Sequence, residues 1–183
     1  MMTTPLVSVC ISAYESHDTI RRCLECLRAQ TFQDFEVIVV DSSPSDRTAT
    51  IMTDFPEVHY HHSKERLYPF EARNKTHEFV RGEILIAIDP DVYAIPTCLE
   101  QMVSEYQRTQ RPIMGALDCY GDKILDWGIH FCKFSQWLPN IPAHSTNKGA
   151  TANLLYSRKM LDEVGGFDGS SRWGADLTLT MRL

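Results

Sequence analysis

The stretch Glu83-Ile84-Leu85-Ile86-Ala87-Ile88-Asp89-Pro90-Asp91-Val92 constrains the fold of this chain more than any other. An uninterrupted apolar run, closed by an acid on one side and Asp-Pro-Asp on the other, predicts a strand buried on both faces, the kind found in parallel sheets. The two carboxylates then sit at its carboxyl end. Residues two apart on an extended chain point the same way, so Asp89 and Asp91 can converge on one ligand, while Pro90 donates no hydrogen bond and stops the strand. That edge is where open α/β sheets bind ligands. Two hard oxygen donors there suit Mg²⁺ or Mn²⁺ shared with a substrate's phosphates. Asp and Pro also favour solvated turns, and on this stretch alone the two readings stand level.

The rest of the chain supplies the partners such a strand needs. Leu6 to Tyr14 alternates and is rich in β-branched residues, which predicts a first strand. Asp18 precedes Ile20, Cys23, Leu24 and Leu27, the spacing of an amphipathic helix ending near Gln30. Phe35 to Val40 predicts a second strand, Asp46 a cap for a short helix through Thr53, and Val58 to His62 a third strand. A helix follows over Glu71 to Arg81, with Gly82 placed to end it. After the Glu83–Val92 stretch, Pro96 suits the first turn of a helix that runs to Arg111-Pro112, and Ile113 to Leu117 predicts another strand. Between about Cys119 and Asn147 the pattern weakens, and a loop-rich insertion is expected beside the site. Thr151 to Tyr156, a helix from Ser157 to Val164, Gly165-Gly166-Phe167-Asp168 and an amphipathic piece from Asp176 to Leu183 complete the chain.

Alternating strands and helices in 183 residues predict a single α/β domain with a mostly parallel central sheet flanked by helices. A net charge of -6 lacks the basic footprint that neutralises nucleic-acid phosphates, so nucleic acid is not an expected partner. No apolar run approaches the roughly 18 residues of a membrane span, and Met1 to Pro5 has no signal-peptide character. A cytoplasmic protein is expected, with room for peripheral contact at the inner face of a membrane. The six cysteines fall within apolar or helical patterns and are expected reduced; Cys23 and Cys26 share the CxxC spacing, but no second pair completes a zinc set. His59, His61 and His62 alternate between the two faces of their strand, which argues against a shared metal. The first strand ends without Gly-x-Gly-x-x-Gly, and no Gly-x-x-x-x-Gly-Lys-Ser/Thr occurs, so a phosphate must be held by other means. A cation at Asp91, with Arg73 reaching over from the preceding helix, could neutralise a pyrophosphate.

In order, Val7 to Tyr14, Val40-Asp41-Ser42-Ser43, Ala72-Arg73-Asn74, Arg81-Gly82-Glu83 leading to Asp89-Pro90-Asp91, Gly165-Gly166-Phe167-Asp168 and Ala175-Asp176 ending in Arg182-Leu183 resemble the motifs of family 2 glycosyltransferases of the GT-A fold. Each motif is weak singly; six in sequence across nearly the whole chain are specific. The resemblance implies a metal-dependent, inverting transfer of a sugar from a UDP- or GDP-sugar donor to a sugar, lipid or polysaccharide acceptor, with Mn²⁺ or Mg²⁺ as cofactor. It implies a donor-binding part over about 5–95 and an acceptor-side part over about 96–183.

Residue by residue, the resemblance puts Tyr14 and Asp41 at the donor, with Asp41 on the nucleotide base. Arg73 approaches the diphosphate, Asp89 the ribose or sugar, and Asp91 holds the metal. Asp176 becomes the general base, which a helix N-terminal acid could equally explain without chemistry. Trp173-Gly174 either walls the acceptor pocket or belongs to the core, and His130 is a candidate further metal ligand. Three positions depart from the family pattern. The usual Asp-Asp/Gly-Ser turn is Asp41-Ser42-Ser43, the Glu before the base is Ala175, and a later acid is Thr178. The chain stops seven residues after Asp176, where family members continue, so the acceptor side is expected to be C-terminally truncated. Two alternatives follow. One is a catalytically impaired sugar-nucleotide-binding or interaction module. The other, from Ile86 to Asp91 alone, is an aspartyl-phosphate-type phosphatase with Asp89 as nucleophile.

Overall fold

The computed structural model describes residues 4–169 and 174–183. Strand β1 (Val7–Ala13) lies between β2 (Phe35–Asp41) and β4 (Ile84–Ile88), and β3 (Val58–His62) flanks β2. These four strands are parallel. Beyond β4 come β6 (Asn153–Ser157), antiparallel to it, and at the edge the two-residue β5 (Ile113–Met114), antiparallel to β6. The sheet is therefore mostly parallel with the order β3-β2-β1-β4-β6-β5.

Period-2 alternation sorts the apolar residues onto two layers. Val7, Val9 and Ile11 of β1, with Ile84, Ile86 and Ile88 of β4, pack on one face against α1 (Ile20–Arg28) and α4 (Cys98–Thr109). Cys10, Leu85, Ala87 and Tyr156 face the other way, toward α3 (Pro69–His77), α6 (Arg158–Val164) and α7 (Ala175–Thr180). A short α2 (Arg47–Met52) adds Met52 to the first layer. The chain leaves β1 toward β2 and β3, then returns to place β4 on the other side of β1. The order thus reverses between β1 and β4, and a crevice opens at their carboxyl ends.

Several expected boundaries shift, each for a local reason. Helix α3 begins at Pro69, whose fixed φ suits a first turn, and ends at His77 rather than Arg81. Gly82 does not cap it. A Cβ on Gly82 would lie 2.7 Å from the Ser8 amide nitrogen, so the glycine lets the chain entering β4 press against β1. Thr19 holds the capping position of α1 without a side-chain bond, and Asp18 before it pairs at the surface with Arg47. Asp46 precedes α2 without a side-chain cap bond. Helix α4 starts at Cys98, two residues past Pro96, because Gln30 accepts the Leu99 N–H at 3.0 Å and donates to the Ile95 carbonyl at 2.8 Å.

The segment expected to be loop-rich contains an eleven-residue helix, α5 (Ile124–Phe134), followed by a 3₁₀ turn over Ser135–Trp137. Its aromatic residues Trp127, Phe131 and Phe134 recur at helical spacing. All six cysteines are free.

A buried polar brace ties the amino ends of the strands. The Glu36 carboxylate accepts from the Ser8 hydroxyl at 2.6 Å, the Arg81 amide at 2.7 Å and Arg81 Nε at 2.6 Å, while Ser8 Oγ accepts the Gly82 N–H at 2.9 Å. Strands β1 and β2 and the entry to β4 are thereby fixed in register at the end opposite the crevice.

Candidate active site

Residues from four strand ends and two helices line the crevice. Tyr14 follows β1 with its ring 40% exposed beneath the Arg66 guanidinium, 4.4 Å from the ring centroid. The next residue, Glu15, takes a left-handed φ of +51°, and its N–H is held by Ser43 Oγ at 2.7 Å. The loops after β1 and β2 are thus locked together.

Asp41 ends β2 and is fully buried. Its Oδ1 accepts the Ser43 N–H at 2.9 Å and the Ser43 hydroxyl at 2.5 Å, and its Oδ2 accepts the Tyr60 hydroxyl at 2.8 Å. Burial, together with the negative Asp41, pushes the Tyr60 phenol well above its ordinary range, so Tyr60 stays a donor. Asp41 therefore organises the Ser42-Ser43 turn from beneath. Tyr60 had no signal in the sequence beyond being an aromatic on a strand.

Asp89 follows β4, its N–H bonded to the Ala152 carbonyl at 3.2 Å, and its own carbonyl accepts the Val92 N–H at 3.0 Å to close the Asp-Pro-Asp turn. Arg73, from the first turns of α3, donates to Asp89 Oδ1 at 3.1 Å and lies over the Phe167 ring. Burial raises the Asp89 carboxyl above the usual carboxylate range; Arg73 opposes this, and the charges of Asp91 and Asp176 add to it. Asp176, distant in sequence, is therefore an electrostatic neighbour of the Asp-Pro-Asp turn. Asp91 is exposed, whereas Asp176 is half-buried in the first turn of α7, where its Oδ1 accepts the Leu177 N–H at 2.9 Å.

Asn74, beside Arg73, accepts the Phe167 N–H and donates to the Phe167 carbonyl, both at 2.9 Å. Two of the short motifs read from the sequence are thus clamped to each other, and Phe167 is fixed under Arg73. Ala175 opens α7 with 9% exposure, so this position faces the core, where an unpaired Glu would be costly. Gly174 precedes it at a φ of +77°, and Trp173 lies outside the described residues.

His130 is not brought to the carboxylates. It sits on α5 with Nε2 3.2 Å from the Leu117 carbonyl oxygen. His59 lies near Arg81 and Glu36, and His61 stacks on Phe79 at 3.5 Å, both away from the crevice. Among the described residues, no cluster of three or more His, Cys, Asp or Glu side chains could by itself cage a metal. Asp91 suits the other mode, in which one or two carboxylates share a cation with substrate phosphates.

A second group was not anticipated. Arg22 on α1 lies between Tyr93, two residues past Asp91, and Tyr120, with its guanidinium 4.9 and 4.4 Å from their centroids, and it donates to the Tyr120 hydroxyl. The rings meet edge to face at 5.0 Å. This cation–π clip fastens the start of the 119–147 segment beside the acidic turn.

The model of Glycosyl transferase family 2 matches residues 8–165. The chain belongs to this family. It is 26% identical to the glycosyltransferase AglE of Haloferax volcanii across 98% of this chain and 62% of that protein. The fold matches S. aureus TarS 1-349 with a TM-score of 0.75 at 18% identity, over 96% of this chain and 54% of that one. It also matches the mannosyltransferase PcManGT of Pyrobaculum calidifontis, solved with GDP-Man and Mn²⁺, with a TM-score of 0.72 at 20% identity, over 98% and 51%. The chain thus spans less than two thirds of the length of each of these proteins. As a family 2 glycosyltransferase it carries Asp89 and Asp91 just past the fourth strand of a GT-A sheet, and the aspartyl-phosphate reading of Asp89 gives way to this assignment. No helix among the described residues is long and apolar enough to cross a membrane.

Proposed function

We propose that this family 2 glycosyltransferase moves a sugar from a nucleoside-diphosphate donor to an acceptor hydroxyl with inversion at the anomeric carbon, in a divalent-cation-dependent reaction. The pairing of Arg73 with Asp89, whose carboxyl also feels the charges of Asp91 and Asp176, carries the reading. Such a set needs cationic compensation, and a diphosphate with a hard cation provides a matching charge pattern. Residues of about 5–95 would hold the donor, and those of about 96–183 would shape the acceptor side.

In this reading Tyr14 offers a ring face to the nucleotide. Asp41, fully buried, would act on the base through the Ser42-Ser43 turn that it holds in place. Arg73 and Asp89 orient the diphosphate and the donor sugar or ribose, and Asp91 would hold Mn²⁺ or Mg²⁺. When bound, the cation supplies positive charge opposite the departing diphosphate. Asp176 accepts the proton of the acceptor hydroxyl as that oxygen forms its bond to the anomeric carbon. The electrons of the breaking carbon–oxygen bond leave with the diphosphate on the opposite face. One base and one displacement invert the centre.

The test is calorimetric titration of UDP and GDP with and without Mn²⁺. Binding of one nucleotide is expected to strengthen at least tenfold with the cation in the natural protein and to lose that gain in Asp91→Ala. Equal affinity with and without Mn²⁺ in both proteins would refute the cation-dependent site.

A further inference from the structure

The loop from β3 to α3 holds its backbone still and leaves one charge loose at the crevice. At its start the Ser63 N–H donates to the Asp41 carbonyl at 2.8 Å, and the Ser63 hydroxyl donates to the Glu65 carbonyl at 2.8 Å. At its end the Tyr68 N–H is held by the Glu71 carboxylate at 2.7 Å, one residue before Pro69 opens α3. Leu67, just inside that end, packs against the layer that contains Leu85 and Tyr156. Arg66 is exposed, and among the described residues its guanidinium makes no hydrogen bond or ion pair. Arg73, by contrast, is tied to Asp89. The contact that Arg66 does make is with Tyr14, whose ring centroid lies 4.4 Å from its Cζ. A guanidinium with no anion to pair settles on an aromatic face.

We propose that Arg66 is a gate for the nucleotide: it covers the Tyr14 ring in the free protein and, once displaced by the base, turns to the diphosphate. The inference rests on the donor reading of Tyr14, Asp89 and Asp91 given above. Base and guanidinium are both planar and compete for one ring face, so an arriving base gains only the difference between two stacks. The displaced charge decides the exchange. Strands β1 and β4 are hydrogen-bonded neighbours, so Tyr14, past the end of one, and the Asp-Pro-Asp turn, past the end of the other, are separated across the sheet by about one strand spacing of ~4.8 Å. Rotation of the Arg66 side chain alone spans such a step, with the loop backbone left where Ser63, Leu67 and Glu71 pin it. At a diphosphate seated by that turn the planar fork finds the paired oxygens it lacks in the free protein. A nucleoside without phosphates has to displace Arg66 and offers it nothing in return. A nucleoside diphosphate displaces it and pairs it again. Arg66 thereby makes stacking on Tyr14 depend on the phosphates at the other end of the same ligand.

Proton–nitrogen NMR spectra of the ¹⁵N-labelled protein, with the Arg66 Nε–H signal assigned by its loss in Arg66→Lys, read the gate directly. In the free protein that proton is expected upfield, shielded by the Tyr14 ring, and Tyr14→Leu should abolish the shielding. Adding UDP or GDP with Mg²⁺, whichever binds, should abolish it as well. In Arg66→Ala, calorimetry should show the nucleoside diphosphate bound at least tenfold more weakly, while ligand-observed NMR should show the corresponding nucleoside bound a few-fold more tightly. Opposite changes of this kind do not come from a loss of packing. An Arg66 proton without ring shielding in the free protein overturns the inference. So does shielding that persists with nucleotide bound, or nucleoside and diphosphate affinities that fall together in Arg66→Ala. A protein that binds neither UDP nor GDP strikes the donor reading itself.

Discussion

Replacing Glu36 tests whether the brace at the amino ends of β1, β2 and β4 holds the frame of the site. Oε1 takes the Ser8 hydroxyl and the Arg81 amide, and Oε2 takes Arg81 Nε. Glu36→Gln keeps an acceptor at the first position and sets an NH₂ against the guanidinium at the second. Arg81 is 44% exposed, so water can replace that partner, and the cost is expected at about 1–2 kcal/mol. Glu36→Ala strips acceptors from Ser8 and the Arg81 amide in a place closed to water, with Glu36 itself 4% exposed, and should cost about 3–5 kcal/mol.

The pH dependence has a defined sign. Although burial alone would raise it, bonds from Ser8 and Arg81 hold the Glu36 carboxyl below its ordinary range. Its contribution is therefore full above the unfolded value near about 4.3 and is lost as pH falls through the folded one. Urea titrations from pH 7 to pH 3 should show the natural protein and Glu36→Gln converging at the acid end. An alanine variant no less stable than the glutamine variant, or two parallel acid profiles, would refute the reasoning.

Three further outcomes follow from other parts of the structure. Burial pushes His77 down to about 4, with Arg158 adding to the shift, so between pH 6.5 and 4 the unfolded chain binds the extra proton; stability should fall by roughly 2–3 kcal/mol across that window and the slope should vanish in His77→Phe, as followed by thermal melts. Gly82→Ala, with its Cβ forced to within 2.7 Å of backbone atoms of Ser8 and Val7, should cost ~1–3 kcal/mol in the same denaturation assay. Asp176→Asn should leave Mn²⁺-supported nucleotide affinity within a few-fold of the natural protein while lowering transfer at least a hundredfold, measured by release of the nucleoside diphosphate from a panel of UDP- and GDP-sugars.

The strands were legible because their apolar runs are uninterrupted or alternate cleanly, and each turns out to be a strand within a few residues. The acids at the ends of β2 and β4 were legible for the same reason, since a charge that stops an apolar run has only the sheet edge to occupy. Helix α5 was not, although Trp127, Phe131 and Phe134 keep helical spacing, because Gly128 and the surrounding Gly and Pro residues mask the period. Its exposed outer face also removes the polar contrast on which amphipathic reading depends. The partners of Asp41 and Arg22 were invisible for a different reason. Tyr60 lies 19 residues from Asp41, and Tyr120 lies 98 from Arg22, and only the folded sheet and the clip bring them together. Asn74 was seen as part of a motif but not as the clamp on Phe167, because nothing local distinguishes an amide that bridges from one that is solvated.

The segment between β5 and β6 leaves and rejoins the molecule at nearly one point, where the Gly115 amide meets the Asn153 carbonyl and the Leu117 amide meets the Trp137 carbonyl. A chain whose ends are already pinned together pays little more for extra length, because closure entropy grows only with the logarithm of the loop. The Gly115–Asn153 bond alone spans the two ends, and with it residues 118–149 can behave as a cassette. Lineages could exchange it wholesale, and an engineer could graft another onto the same Gly115–Asn153 post, without disturbing the register of a single strand beneath.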